Sequence, residues 1–192
     1  MVLIALGVLY GGRSQPAGVD AWIQSAVGDV PPPWRHIALA TDFLAEPVGA
    51  ATLVVAAVTG CLLLRLPRAA VLIVVGTGLT VVATTLIKPV VGRTIHGDHL
   101  SYPSGHTAFL TALALMVALL AADRLDLGRT AGTLLVFGAA LIAGAAMGWA
   151  QVALGAHYPT DALGGWCTAL VVTPASAWLV DRSADAVRRE GL

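Results

Sequence analysis

Five stretches of the chain carry apolar residues almost without interruption: 47–66, 69–87, 104–122, 130–150 and 161–180. Each is close to the length of about 20 residues that a helix needs to cross a bilayer. The opening MVLIALGVLY is apolar for only ten residues and predicts a short first helix. Residues 11–46 mix tryptophans, a PPP run at 31–33 and scattered charges, and within them GVDAWIQSAVGDV has the pattern of an amphipathic helix lying in an interface. Glycines recur inside the spans at Gly76, Gly78, Gly138, Gly144, Gly148, Gly164 and Gly165, as expected where membrane helices pack closely. The expectation is an all-α, polytopic membrane helical bundle of about six transmembrane helices, with residues 1–192 as one membrane-embedded domain.

Composition strengthens this reading. Charged residues make up 11% of the chain and hydrophobic ones 57%, and mean hydropathy is +0.83, whereas a soluble domain is about 25% charged. The formal net charge is zero, which gives no electrostatic basis for nucleic-acid binding. Cys61 and Cys167 both lie inside apolar runs and read as small core residues. With six spans, the 65–68 turn, the 123–129 turn and the C-terminal tail share one side, which carries seven cations against four on the other. The positive-inside rule makes the richer side cytoplasmic. The 88–103 and 151–160 loops then face outward together.

That outer side gathers three polar clusters, each at a span end. KPVVGR at 88–93 holds Lys88, the one lysine of the chain, and Arg93. YPSGH at 102–106 puts Ser104, Gly105 and His106 where a helix begins; free backbone N–H groups and the positive end of the helix dipole favour a phosphate there. The plainer reading is Ser104 as an N-cap. GAHYPTD at 155–161 places His157 just before a helix that Pro159 starts, with Asp161 in its first turn. A carboxylate there can hold one imidazole nitrogen and leave the other free as a nucleophile; the plainer reading is a capping aspartate beside an interfacial histidine.

With these residues in view, the chain resembles the type-2 phosphatidic acid phosphatase superfamily of membrane lipid phosphatases. That family carries a Lys followed seven residues later by Arg-Pro, then Pro-Ser-Gly-His, then Ser-Arg, five residues, His, and Asp four further on. Here Pro103-Ser104-Gly105-His106 is intact, His157 and Asp161 keep the spacing, and Lys88 is present. The departures are Ile95-His96 in place of Arg-Pro and Ala150-Gln151 in place of Ser-Arg. Arg93 matches an additional arginine that many members carry in the first motif.

The resemblance implies a metal-independent phosphatase without cofactor, acting on a lipid phosphate in the cell membrane with its site on the extracytoplasmic face. His157 would attack phosphorus, Asp161 orient it and His106 protonate the leaving oxygen. Lys88, Arg93, Ser104 and the Gly105 amide would hold the phosphoryl oxygens. His96, His99 and Gln151 are possible accessory residues, with a solvated loop as the plainer reading of the two histidines. Metal independence also follows from spacing, since His96, Asp98 and His99 share one short loop with no fourth ligand. Two rivals stand beside this reading. A non-catalytic, lipid-binding or scaffold relative fits the missing arginines. A small transporter fits less well, because its ionisable groups belong at mid-span and here they sit at span ends. The sequence does not choose among prenyl and glycerolipid substrates, nor does it fix the oligomeric state.

Overall fold

The computed structural model describes residues 1–28 and 30–190. Among these described residues there are eight helices: α1 Val2–Tyr10, α2 Gly18–Val27, α3 Pro32–Phe43, α4 Pro47–Leu63, α5 Pro67–Val91, α6 Gly105–Arg124, α7 Arg129–Ala153 and α8 Pro159–Glu190. Four of them (α3, α4, α5 and α8) open on a proline, whose fixed φ suits the first helical position and whose missing N–H is not needed there. α5 ends where Gly92 takes a left-handed φ of 64° and its N–H caps the Lys88 carbonyl.

α5, α6, α7 and α8 through Ser183 are each long and apolar enough to cross a membrane. α3 and α4 join as a fifth candidate span, bent by 60° at the break between them. α1 is the expected short first helix, but its nine residues reach only ~14 Å at about 1.5 Å per residue. It therefore does not cross alone. It tucks against α5 and α8. Large apolar side chains such as Val74, Leu86, Val90, Leu134, Phe137 and Ile142 face outward, a surface that suits lipid rather than water.

α6 is the central helix and packs against α5, α7 and α8. Its buried positions include Thr107, Ala108, Phe109, Thr111, Ala112, Leu113 and Met116. α8 can approach it because Gly165 has no side chain: a Cβ there would lie 2.2 Å from the Ser104 carbonyl oxygen. Gly164 leaves room in the same way for the Tyr102 ring, at 2.5 Å. Cys61 and Cys167 are free thiols.

Two features lie outside the sequence expectation. α3 is a regular helix within the mixed 11–46 segment, docked on α7 through a Trp34–Trp149 edge contact with ring centroids 6.3 Å apart. The 88–103 loop contains a small antiparallel hairpin, β1 Thr94–Ile95 with β2 His99–Leu100. The expected amphipathic helix is α2, which packs on α7 and α8.

Candidate active site

The segment between α7 and α8 turns at Gly155, with φ of 70°, and brings His157 back over the end of α7, its N–H 3.3 Å from the Gln151 carbonyl. Pro159 then starts α8. Asp161, in the first turn, accepts the Tyr158 N–H at Oδ2 (3.1 Å) and the Arg93 guanidinium at Oδ1 (2.7 Å). His157 Nδ1 faces Asp161 Oδ2 at 3.7 Å, an ion-pair distance longer than a hydrogen bond, and has no hydrogen-bond partner among the described residues. Burial pushes the His157 imidazole below the ordinary histidine value. The Asp161 carboxylate opposes that shift, while the nearby charges of Lys88 and His106 add to it. The ring is held neutral beside a carboxylate, the state a nucleophilic imidazole needs.

Arg93 departs from its expected place among the phosphate-holding groups. It is 0% exposed, and both terminal nitrogens are taken by protein. NH1 donates to Asp161 and to Thr160 Oγ1 (2.6 Å), and NH2 donates to Asp20 Oδ2 (2.6 Å). The rings of Tyr10 and Tyr158 lie over it at 4.8 and 4.4 Å. A buried arginine needs counter-charges, and two carboxylates beside it outcompete a ligand in solvent. Asp20, equally buried, also accepts the Thr160 N–H (3.0 Å), the Thr160 hydroxyl (3.1 Å) and the Ala17 N–H (3.2 Å). Sequence reasoning missed Asp20; the signal was a carboxylate inside an amphipathic segment.

The start of α6 meets this network directly, since the Ser104 N–H donates to the Asp161 carbonyl at 2.9 Å. Ser104 is the N-cap, as the plainer reading had it. Its hydroxyl is buried and accepts from Thr107 N (3.4 Å) and Thr107 Oγ1 (3.1 Å). Gly105 is half-buried with open space around it, the nearest group to an added Cβ being Thr84 Oγ1 at 3.7 Å. Lys88 sits half-buried in the last turn of α5. His96 and His99 are exposed on the hairpin turn: the His96 Nε2 bonds the Gly155 carbonyl (2.8 Å), and His99 leans on the His96 carbonyl (3.4 Å). Ile95, where the family arginine would stand, is buried.

His106 turns toward α3 and α4. Its Nε2 lies 3.7 Å from Asp42 Oδ1 and 3.5 Å from Glu46 Oε1. Gln151, 1% exposed, donates its amide to the same Asp42 oxygen. Asp42 and Glu46 had no place in the sequence expectation, which found no set of metal-ligating spacing. The structure brings their carboxylates close to His106, some sixty residues further along the chain.

The PAP2 superfamily matches this chain over residues 92–185. A comparison with curated proteins gives no match. Among solved structures the chain is similar to the transmembrane PAP2 type phosphatidylglycerolphosphate phosphatase from Bacillus subtilis. The TM-score is 0.73 at 20% identity, covering 96% of this chain and 93% of that one; at that identity the likeness is one of fold. The matched segment contains the intact Pro-Ser-Gly-His run and the His157–Asp161 pair, which here meet at one end of a membrane helical bundle. Over residues 92–185, the segment that carries both motifs, this chain is a match to the PAP2 superfamily.

Proposed function

We propose that the protein is an integral membrane lipid phosphatase, one domain over residues 1–192, that cleaves a phosphomonoester or diphosphate of a prenyl lipid or glycerolipid. The observation that carries this reading is the buried His157 beside Asp161, at the end of the bundle where Ser104 and His106 also lie.

The His157 Nε2 attacks phosphorus as the bond to the lipid oxygen breaks. His106 gives that oxygen its proton. The imidazolium that forms on phosphorylated His157 is stabilised by Asp161; a water then gives its proton back to His106 and attacks phosphorus, the P–N bond breaks, and phosphate leaves with His157 neutral again. Lys88 and the Gly105 N–H carry the charge on the phosphoryl oxygens, and Ser104 fixes the start of α6. Arg93 acts here as a positioning residue for Asp161. Phosphoryl transfer asks mostly for positioning and charge stabilisation. With Gln151 and Ile95 in place of two arginines, turnover is expected to be slow, since one missing donor of this kind costs about 3 kcal/mol.

The test is phosphate release by the purified protein from phosphatidylglycerol phosphate, phosphatidic acid and prenyl diphosphates, with His157→Ala as control. Release should survive EDTA and fall by at least about a thousandfold in His157→Ala. A second reading, a lipid-binding scaffold, is favoured by one observation: the carboxylates of Asp42 and Glu46 stand close to His106, where a phosphate would be repelled. Folded wild type that is inert on every lipid of the panel decides for the scaffold.

A further inference from the structure

The cluster beside His106 has a geometry that neither hydrogen bonding nor the proposed reaction accounts for. Asp42 comes from the last turn of α3, Glu46 from the break before α4, and His106 from the first turn of α6. Their donor atoms all lie within 4.8 Å of one another. The His106 Nε2 atom is buried and without a hydrogen-bond partner among the described residues, although it lies near two carboxylates at 3.7 and 3.5 Å. A histidine that simply paired with a carboxylate would close to about 2.8 Å. An ion bound at about 2.1 Å by imidazole nitrogen and carboxylate oxygens holds its donors roughly 3 to 3.6 Å apart. The two imidazole–carboxylate distances therefore need little closing to seat an ion and a larger shift to make hydrogen bonds.

The surroundings favour a cation as well. Gln151 donates to Asp42 and fixes its rotamer, the task of an outer partner in a metal site, without adding a positive charge. Two carboxylates and one imidazole form a mixed oxygen and nitrogen set, which suits a first-row divalent ion such as Zn²⁺ better than Mg²⁺ or Ca²⁺. Glu46 is 49% exposed, so an ion can enter and leave from solvent.

We infer that Asp42, Glu46 and His106 form an exchangeable divalent-cation site, and that its occupation switches the phosphatase off. The second half rests on the proposed function. An ion on Nε2 takes the lone pair that must carry the proton for the leaving oxygen, so His106 can no longer act as the acid. The site is inhibitory, and activity in EDTA is the expected companion of the same geometry.

The test uses the purified full chain in detergent, stripped with chelator, and Zn²⁺ alone as the probe. Calorimetry should show saturable binding of one ion per chain. Glu46→Gln and Asp42→Asn should each weaken it at least tenfold, and His96→Ala/His99→Ala should leave it unchanged. Zn²⁺ should also raise the thermal midpoint of wild type and not that of Glu46→Gln. In the phosphate-release assay, Zn²⁺ should inhibit wild type reversibly, and Glu46→Gln, measured against its own metal-free rate, should need at least ten times more. Absence of saturable binding, or binding lost with His96 and His99 but kept in Glu46→Gln, overturns the site; phosphate release in EDTA would then still stand for the phosphatase. Saturable binding that leaves phosphate release untouched overturns the inhibitory role, and with it His106 as the proton donor.

Discussion

Arg93, expected among the phosphate-holding groups, is instead buried with both terminal nitrogens on protein oxygens. Its place near the first motif pointed to phosphate, but its partner Asp20 stands 73 positions away and leaves no local trace in the sequence. Long-range charge pairing has no periodicity to detect, whereas His157 and Asp161 stand four positions apart, a spacing visible in the sequence itself. Removing one partner of a buried pair strands the other, at a cost of roughly 3 to 5 kcal/mol. Asp20→Ala should therefore lower the thermal midpoint clearly and reduce turnover through Asp161. Arg93→Lys should do the same, because an ammonium cannot fork between two carboxylates. A midpoint for Asp20→Ala equal to wild type, by a thermal shift assay in detergent, would remove the clamp from the account. His157 adds a pH signature. Burial lowers its value from 6.5, so the neutral nucleophile persists into acid, and the acid limb of kcat should lie below that value. The folded state holds this ring neutral while the unfolded chain protonates it, so its contribution to stability is lost as pH falls through 6.5 toward the folded value. An acid limb above 6.5 would mean that a different group controls the rate.

At the level of elements, long apolar runs and prolines carried most of the information. Expected spans such as 69–87 and 130–150 became α5 at Pro67–Val91 and α7 at Arg129–Ala153, lengthened by turns that composition alone does not mark. α3 was hidden because PPWRHIALATDF is only partly apolar; it is held by docking Trp34 on Trp149 and burying Ala38 against Ala150 and Ala153. That docking is tertiary, and so the acidic pair it delivers to His106 could not be foreseen. The glycine expectation can be tested at two positions of opposite surroundings. Gly165→Ala sets a methyl 2.2 Å from the Ser104 carbonyl, which must push α8 from the start of α6. Overpacking of this kind costs about 1 to 3 kcal/mol, and a shift of about 1 Å at a reacting centre is worth about a hundredfold in rate. Gly138→Ala meets nothing within 4 Å and should gain up to about 1 kcal/mol in helix propensity. Equal thermal midpoints and equal turnover for the two variants would mean that α6 and α8 do not meet as tightly as the structure has them.

For the whole molecule, the membrane class was legible in composition, and the convergence of the polar clusters in the parity of the spans. Ser104 bonded to Asp161, and His96 bonded to Gly155, put the 88–103 and 151–160 segments at one end of the bundle. The turns at 64–66 and 125–128 join the opposite ends of the helices that carry them. Which end faces the cytoplasm is a question of charge rather than packing. The end with the two turns and the α8 tail has seven cations against four. Of those four, Arg93 is neutralised inside the protein by Asp20 and Asp161, which widens the effective difference. The prediction is that the candidate site faces away from the cytoplasm. Asp98, exposed on the hairpin turn, and Asp126, exposed on the opposite turn, are suitable positions for single cysteines, with the native Cys61 and Cys167 replaced by alanine. Asp98→Cys should react with an impermeant thiol reagent in intact cells, and Asp126→Cys only after the membrane is opened. The reverse pattern would turn the molecule over, seat the phosphate chemistry on the cytoplasmic side, and expose the site to the lipid phosphates and free metal ions of that compartment instead.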